Sequence, residues 1–162
     1  MAIHPDLWSL AAATVEEYLT ASKLCLKAKK TDGGILGCPA ALLLFCIINA
    51  LGTYLVGDEI SLDGKKQKIT RGEPFRVLNH PTFGLSLTNT QIKNLEHWFR
   101  NPLAHNAIIE GSVSLVAQGD GQSFLFTKDS AEVGVPGLRK LVEAAWKRFD
   151  RMRIKSWVER GK

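Results

Sequence analysis

The run from Cys38 to Val56, CPAALLLFCIINALGTYLV, carries no charged residue over 19 positions. A stretch of that length and apolarity is long enough to span a bilayer, and it also describes a helix buried at the centre of a bundle. Asn49, Gly52 and Thr53 crowd one half of it, and the chain holds no second segment like it. The flanking sequence supplies several amphipathic helices that need an apolar partner, so the buried reading is preferred and no stable membrane insertion is expected.

Those partners are legible from their spacing. A first helix is expected from Pro5 to Lys29, with Pro5 in the first turn and Asp6 at the positive end of the dipole. Leu7, Leu10, Ala11, Val15, Tyr18, Leu19, Ser22 and Leu26 recur at three- and four-residue steps and define its packing face. Thr31-Asp32-Gly33-Gly34 stops it. The apolar run forms helix two, from about Pro39 to Val56. Helix three is expected from Thr90 to Ile109, with Thr88 and Gln91 placed as a capping box and Ile92, Leu95, Trp98, Phe99 and Leu103 on its packing side. Helix four spans Pro136 to Met152, with Leu138, Leu141, Val142, Ala145, Trp146, Phe149 and Met152 as its stripe, extended by Ile154 and Trp157.

Two stretches break this helical reading. Residues 58–87 turn short, charged and glycine-containing, and Pro74 and Pro81 exclude a long helix; short strands, a folded loop or a lid are expected there. From Ser112 the period changes to two, with Val113, Leu115 and Ala117 on one face and Phe124 and Phe126 on one face of a return strand. That pattern, around Gln118-Gly119-Asp120-Gly121, predicts a β-hairpin at 112–126. With 162 residues the chain suits a single mainly α domain of four to five helices with an added hairpin.

The net charge of +5 favours an acidic partner, with RNA the leading candidate. The last 24 residues hold nine basic against three acidic side chains, and a second group, Lys65, Lys66, Lys68, Arg71 and Arg76, faces only Glu73. Trp146 and Trp157 lie beside the first group as core residues or as platforms for a base. Cys25, Cys38 and Cys46 lack metal-ligand spacing and point to a reducing, cytoplasmic setting, and the N-terminus has no signal-peptide pattern.

The irregularity that carries chemistry is Arg100-Asn101-Pro102-Leu103-Ala104-His105 inside an otherwise apolar helix. On a regular helix Asn101 and His105 share a face, while Arg100 lies about 140° from His105. Pro102 cannot donate to the carbonyl four residues before it, so a bend or loosened turn is expected, and that would bring Arg100 and His105 toward one cavity. The cavity can also be completed by a second subunit across a twofold axis. An arginine fork, an imidazole titrating near neutrality and an amide suit phosphodiester cleavage of RNA, with no metal or cofactor demanded. The bland account is a surface arginine, a helix-stopping asparagine and a hydrogen-bonded histidine. His97 extends the same polar line at most as a supporting residue, and His4 and His80 read as isolated surface or loop positions.

The string Phe99 to Asn106 resembles the signature of the HEPN superfamily, an arginine followed by a polar residue and, after a short gap, a histidine. The resemblance implies a helical bundle that commonly dimerises, and a metal-independent ribonuclease of toxin, phage-defence or RNA-processing systems. Arg100 and His105 would then be the catalytic pair and Asn101 the intervening polar residue. Its implied partners are RNA, a second copy of the chain, and a neutralising antitoxin or other protein. A non-catalytic module binding RNA, a nucleotide or a protein is the competing expectation.

Overall fold

The computed structural model describes residues 6–31, 34–100, 113–116, 121–128 and 130–160. Within them the chain is mainly helical, with one sheet of two strands and one of three. Helix α1 runs Leu7–Lys27 and is capped by Asp6, whose carboxylate accepts from the Ser9 backbone N–H at 2.8 Å. Ala11, Val15, Tyr18, Leu19 and Leu26 pack inward, but Leu7 and Leu10 do not join them. Both stand exposed beside the groove between α1 and the next helix, correcting the packing face expected from spacing alone.

Helix α2, Gly37–Tyr54, is the centre of the core. Among its residues only Cys38, Pro39 and Cys46 are exposed, and Leu44, Phe45, Ile48 and Leu51 are wholly buried. Cys46 is thus a surface residue despite its apolar neighbours. By length and composition α2 is also the one helix among the described residues long and apolar enough to cross a membrane.

The 58–87 stretch folds onto this core. Strands β1, Glu59–Leu62, and β2, Lys65–Lys68, form an antiparallel hairpin, and a 3-10 helix follows at Pro74–Asn79. Ile60, Leu62, Ile69, Phe75, Val77, Leu78 and Phe83 are buried, so the segment is an integral layer. Gly52 makes the approach of the 3-10 helix possible, because a Cβ there would lie 2.0 Å from the Pro74 carbonyl oxygen. Asn79 ties the layer together: its amide nitrogen donates to the carbonyls of Ser61 (3.0 Å) and Leu87 (2.7 Å), and its oxygen accepts from the Leu87 N–H (2.8 Å).

The second sheet corrects the expected hairpin. Strands β3, Val113–Val116, and β4, Phe124–Phe126, are not neighbours; β5, Ala131–Gly134, lies between them, parallel to β3 and antiparallel to β4. The faces were read correctly, since Val113, Leu115, Phe124 and Phe126 pack against the core, whereas Ala117 lies outside the described residues. The partner was not, because Ala131 and Val133, the two fully inward residues of β5, complete the apolar layer and take the central position.

Gly134 leads directly into α4, Val135–Arg148, which buries Leu138, Val142, Ala145 and Trp146. The helix expected to continue through Met152 stops here. Phe149 turns to extended backbone and packs on Trp146 and Tyr54, with ring centroids 5.8 and 6.3 Å apart, and Asp150 then accepts from the Met152 N–H at 3.0 Å. A separate helix α5, Met152–Arg160, follows, with Ile154 buried and Met152 55% exposed, outside the stripe assigned to it.

Candidate functional site

Helix α3, Asn89–Leu95, carries the motif toward its site. Its start is the capping box read from the sequence: Thr88 accepts from the Gln91 N–H at 3.2 Å, and Gln91 accepts from the Thr88 N–H at 2.9 Å. These two bonds satisfy donors that the first turn leaves unpaired. Ile92 and Leu95 are buried, which sets the inward face.

After Leu95 the helix widens. Glu96–Arg100 winds as a π-helical turn, which inserts an extra residue relative to α-helical spacing. This widened turn lies just upstream of Pro102, and the bend or loosened turn expected at the proline itself falls outside the described residues. Phe99 is fully buried, its ring centroid 6.1 Å from that of Phe45 on α2. Arg100 is the last residue of this turn, and His97 is exposed on it. Asn101 and His105 lie outside the described residues, as do Pro102, Leu103 and Ala104. The described part of this segment thus ends with Phe99 buried against α2 and Arg100 closing the π-helical turn.

The isolated histidine of the sequence, His80, has close partners. Its Nδ1 lies 2.8 Å from the Thr82 hydroxyl and accepts from the Thr82 N–H at 3.2 Å, which leaves the proton on Nε2. Nε2 faces the Asp58 carboxylate at 3.5 Å, and the other Asp58 oxygen accepts from Arg153 of α5. Burial pushes the imidazole below its ordinary pKa and the Arg153 charge acts in the same direction, against the opposing pull of Asp58. Both ring nitrogens are engaged, so this cluster ties the 58–87 layer to α5 and leaves His80 no nitrogen free for a substrate. Only the contact with Thr82, two residues on, was within reach of sequence reasoning; Asp58 and Arg153 are brought in by the fold.

Much of the C-terminal positive charge is spent inside the protein. Arg139 and Lys147 both pair with Glu143, at 2.7 and 3.1 Å, and Arg151 reaches Glu16 of α1 at 3.1 Å. Arg151 also covers the Trp146 ring, 4.9 Å from its centroid, while Phe149 stacks beside it. Trp146 is only 4% exposed and is a core residue. In the other basic group Arg76 bonds Glu73 and Gln67, at 2.9 and 3.0 Å.

Among the described residues no three His, Cys, Asp or Glu side chains gather closely enough to hold a metal ion. No family model, curated protein or solved structure matches the chain.

Proposed function

We propose that this chain is a metal-independent endoribonuclease of the HEPN type, acting through Arg100, Asn101 and His105. The observation that carries the reading is the Arg100-Asn101-Pro102-Leu103-Ala104-His105 string, which follows directly in sequence on Phe99, buried against α2. The widened turn at Glu96–Arg100 supports it, because such turns recur at functional sites in helices. The mainly helical architecture and the net positive charge are compatible with the same reading.

In this mechanism a ribose 2'-oxygen attacks the adjacent phosphorus while the bond from phosphorus to the departing 5'-oxygen breaks. The products are a 2',3'-cyclic phosphate and a 5'-hydroxyl. His105, neutral, takes the 2'-hydroxyl proton, or in its protonated form supplies one to the leaving oxygen. Arg100 offers paired donors to the oxygens on which charge accumulates, and Asn101 orients the imidazole or holds a phosphate oxygen. One histidine cannot serve both ends of the step at once, so a homodimer that sets two motifs across a twofold axis completes the acid–base pair. Such an enzyme suits a cytoplasmic toxin or phage-defence effector held in check by a neutralising protein.

A module that binds RNA without cutting it is the competing reading, favoured by the single histidine of the motif. Incubation with single-stranded and structured RNA in excess chelator separates the two. Cleavage yielding 2',3'-cyclic phosphate ends, reduced at least about a hundredfold in His105→Ala and in Arg100→Ala, is expected. Undiminished cleavage in both variants, or a requirement for divalent metal, refutes the mechanism; clean binding with no cleavage selects the module.

A further inference from the structure

The two basic groups, far apart in sequence, meet at one place. A cleft of about 460 Å³ opens at the C-terminal end of α2, lined by Thr53, Val56, Arg71, Trp157 and Arg160. Arg71 comes from the loop after β2 and Arg160 from the end of α5, and both are exposed. Among the described residues neither has an acidic partner, in contrast to Arg76, Arg139, Arg151 and Arg153, each of which is paired. Trp157 is 40% exposed, and Tyr54 packs against it edge-on with centroids 5.4 Å apart. That contact orients the indole while leaving part of it open, the opposite of the covered Trp146.

We infer that this cleft binds one nucleotide of a single-stranded RNA, its base stacked on Trp157 and its phosphate between Arg71 and Arg160. Three features point to that chemistry together. An indole held by a neighbour presents a π face that any base can use, at little cost in ordering. Two guanidinium groups without internal partners are free to give paired donors to a phosphate. Val56 supplies apolar floor, and Thr53, whose hydroxyl proton is already given to the Asn49 carbonyl at 2.9 Å, faces the ligand as an acceptor for a base N–H or ribose hydroxyl. The cleft is set apart from Phe99, the residue that precedes the motif. Thr53 lies eight residues along α2 from Phe45, on which Phe99 packs, or about 12 Å of helix axis. This binding role rests on the reading of the chain as an RNA-directed protein.

Fluorescence anisotropy with a short single-stranded RNA, in the full chain carrying His105→Ala so that the probe stays intact, tests it. Trp157→Ala is expected to weaken binding between about fivefold and a hundredfold, with Trp157→Phe restoring most of it. Arg71→Ala and Arg160→Ala together are expected to lower the slope of log affinity against log salt by about 0.7, the release that goes with one phosphate of a single strand. Circular dichroism melts of each variant exclude unfolding as the cause. Unchanged affinity and salt slope in folded variants overturn the inference even if Arg100 and His105 prove catalytic. The predicted losses, without cleavage by the parent protein, uphold it while the ribonuclease reading falls. Equal affinity for a mononucleotide, or binding to anionic vesicles in preference to RNA, also overturns it.

Discussion

Replacing Gly52 by alanine sets two large effects against each other, and the structure decides the sign. In an unencumbered helix interior alanine is favoured over glycine by about 1 kcal/mol, so the substitution would stabilise α2. Here the new methyl would sit 2.0 Å from the Pro74 carbonyl oxygen, 2.6 Å from its carbon and 2.8 Å from its Cα. Carbon atoms pack comfortably at about 3.5–4.0 Å, so the 3-10 helix must retreat by roughly 1 Å, and the obstacle is backbone rather than a side chain that can swing aside. Overpacking of this kind costs about 1–3 kcal/mol and sometimes more, and moving the 3-10 helix also loosens the Asn79 contacts. The net expectation is a loss of about 2 kcal/mol, or roughly 4–8 °C in Tm for a domain of this size. Urea and thermal denaturation followed by circular dichroism measure it, with Gly37→Ala as the control. Gly37 lies in the first turn of the same helix with nothing within 4 Å of the added carbon, so its variant should match or slightly exceed the parent. A Gly52→Ala protein as stable as Gly37→Ala would refute the close approach on which the packing of the 58–87 layer rests.

Asn79→Ala removes the three bonds to Ser61 and Leu87, so urea midpoints should report a loss of about 1–3 kcal/mol. The depressed pKa of His80 means that the unfolded chain binds the extra proton first: stability is complete above the ordinary value of 6.5 and declines as pH falls through it. His80→Gln should flatten that decline between pH 7 and pH 5 in paired denaturation curves, and an identical slope in both proteins would contradict the assigned environment.

What the sequence made legible was local. The Asp6 cap and the Thr88–Gln91 box depend on side chains reaching three residues along their own chain, and both are in place. The apolar run announced α2 because nearly every face of it is covered. Apart from Leu7 and Leu10, whose helical spacing is that of a packing face though both are exposed, the misreadings concern partners brought from a distance. The end of α4 is set by Phe149 packing on Trp146 and on Tyr54, a residue on another helix, so stripe continuity carried the expectation past the break to Met152. β5 is four residues long and ends in glycine, and a hairpin between β3 and β4 was the shorter connection. At the motif, the bend expected at Pro102 and the positions of Asn101 and His105 lie outside the described residues, and the π-helical turn at Glu96–Arg100 had no signal of its own in the sequence. In the sequence the cleft at Trp157 shows only as two separate basic groups and a tryptophan whose helical spacing favours a core role over a base platform.

The parallel pairing of β3 with β5 has a temporal consequence. Among the described strands β3 pairs only with β5, so Val113 has no strand partner until the chain through Ala131 and its companions has been synthesised. Phe99 can settle against Phe45 well before that. Contacts closed over long stretches of chain form slowly. The strand β3 thus gains its sheet partner late in biogenesis, and a protein truncated ahead of Ala131 would leave β3 with its packing on α2 alone.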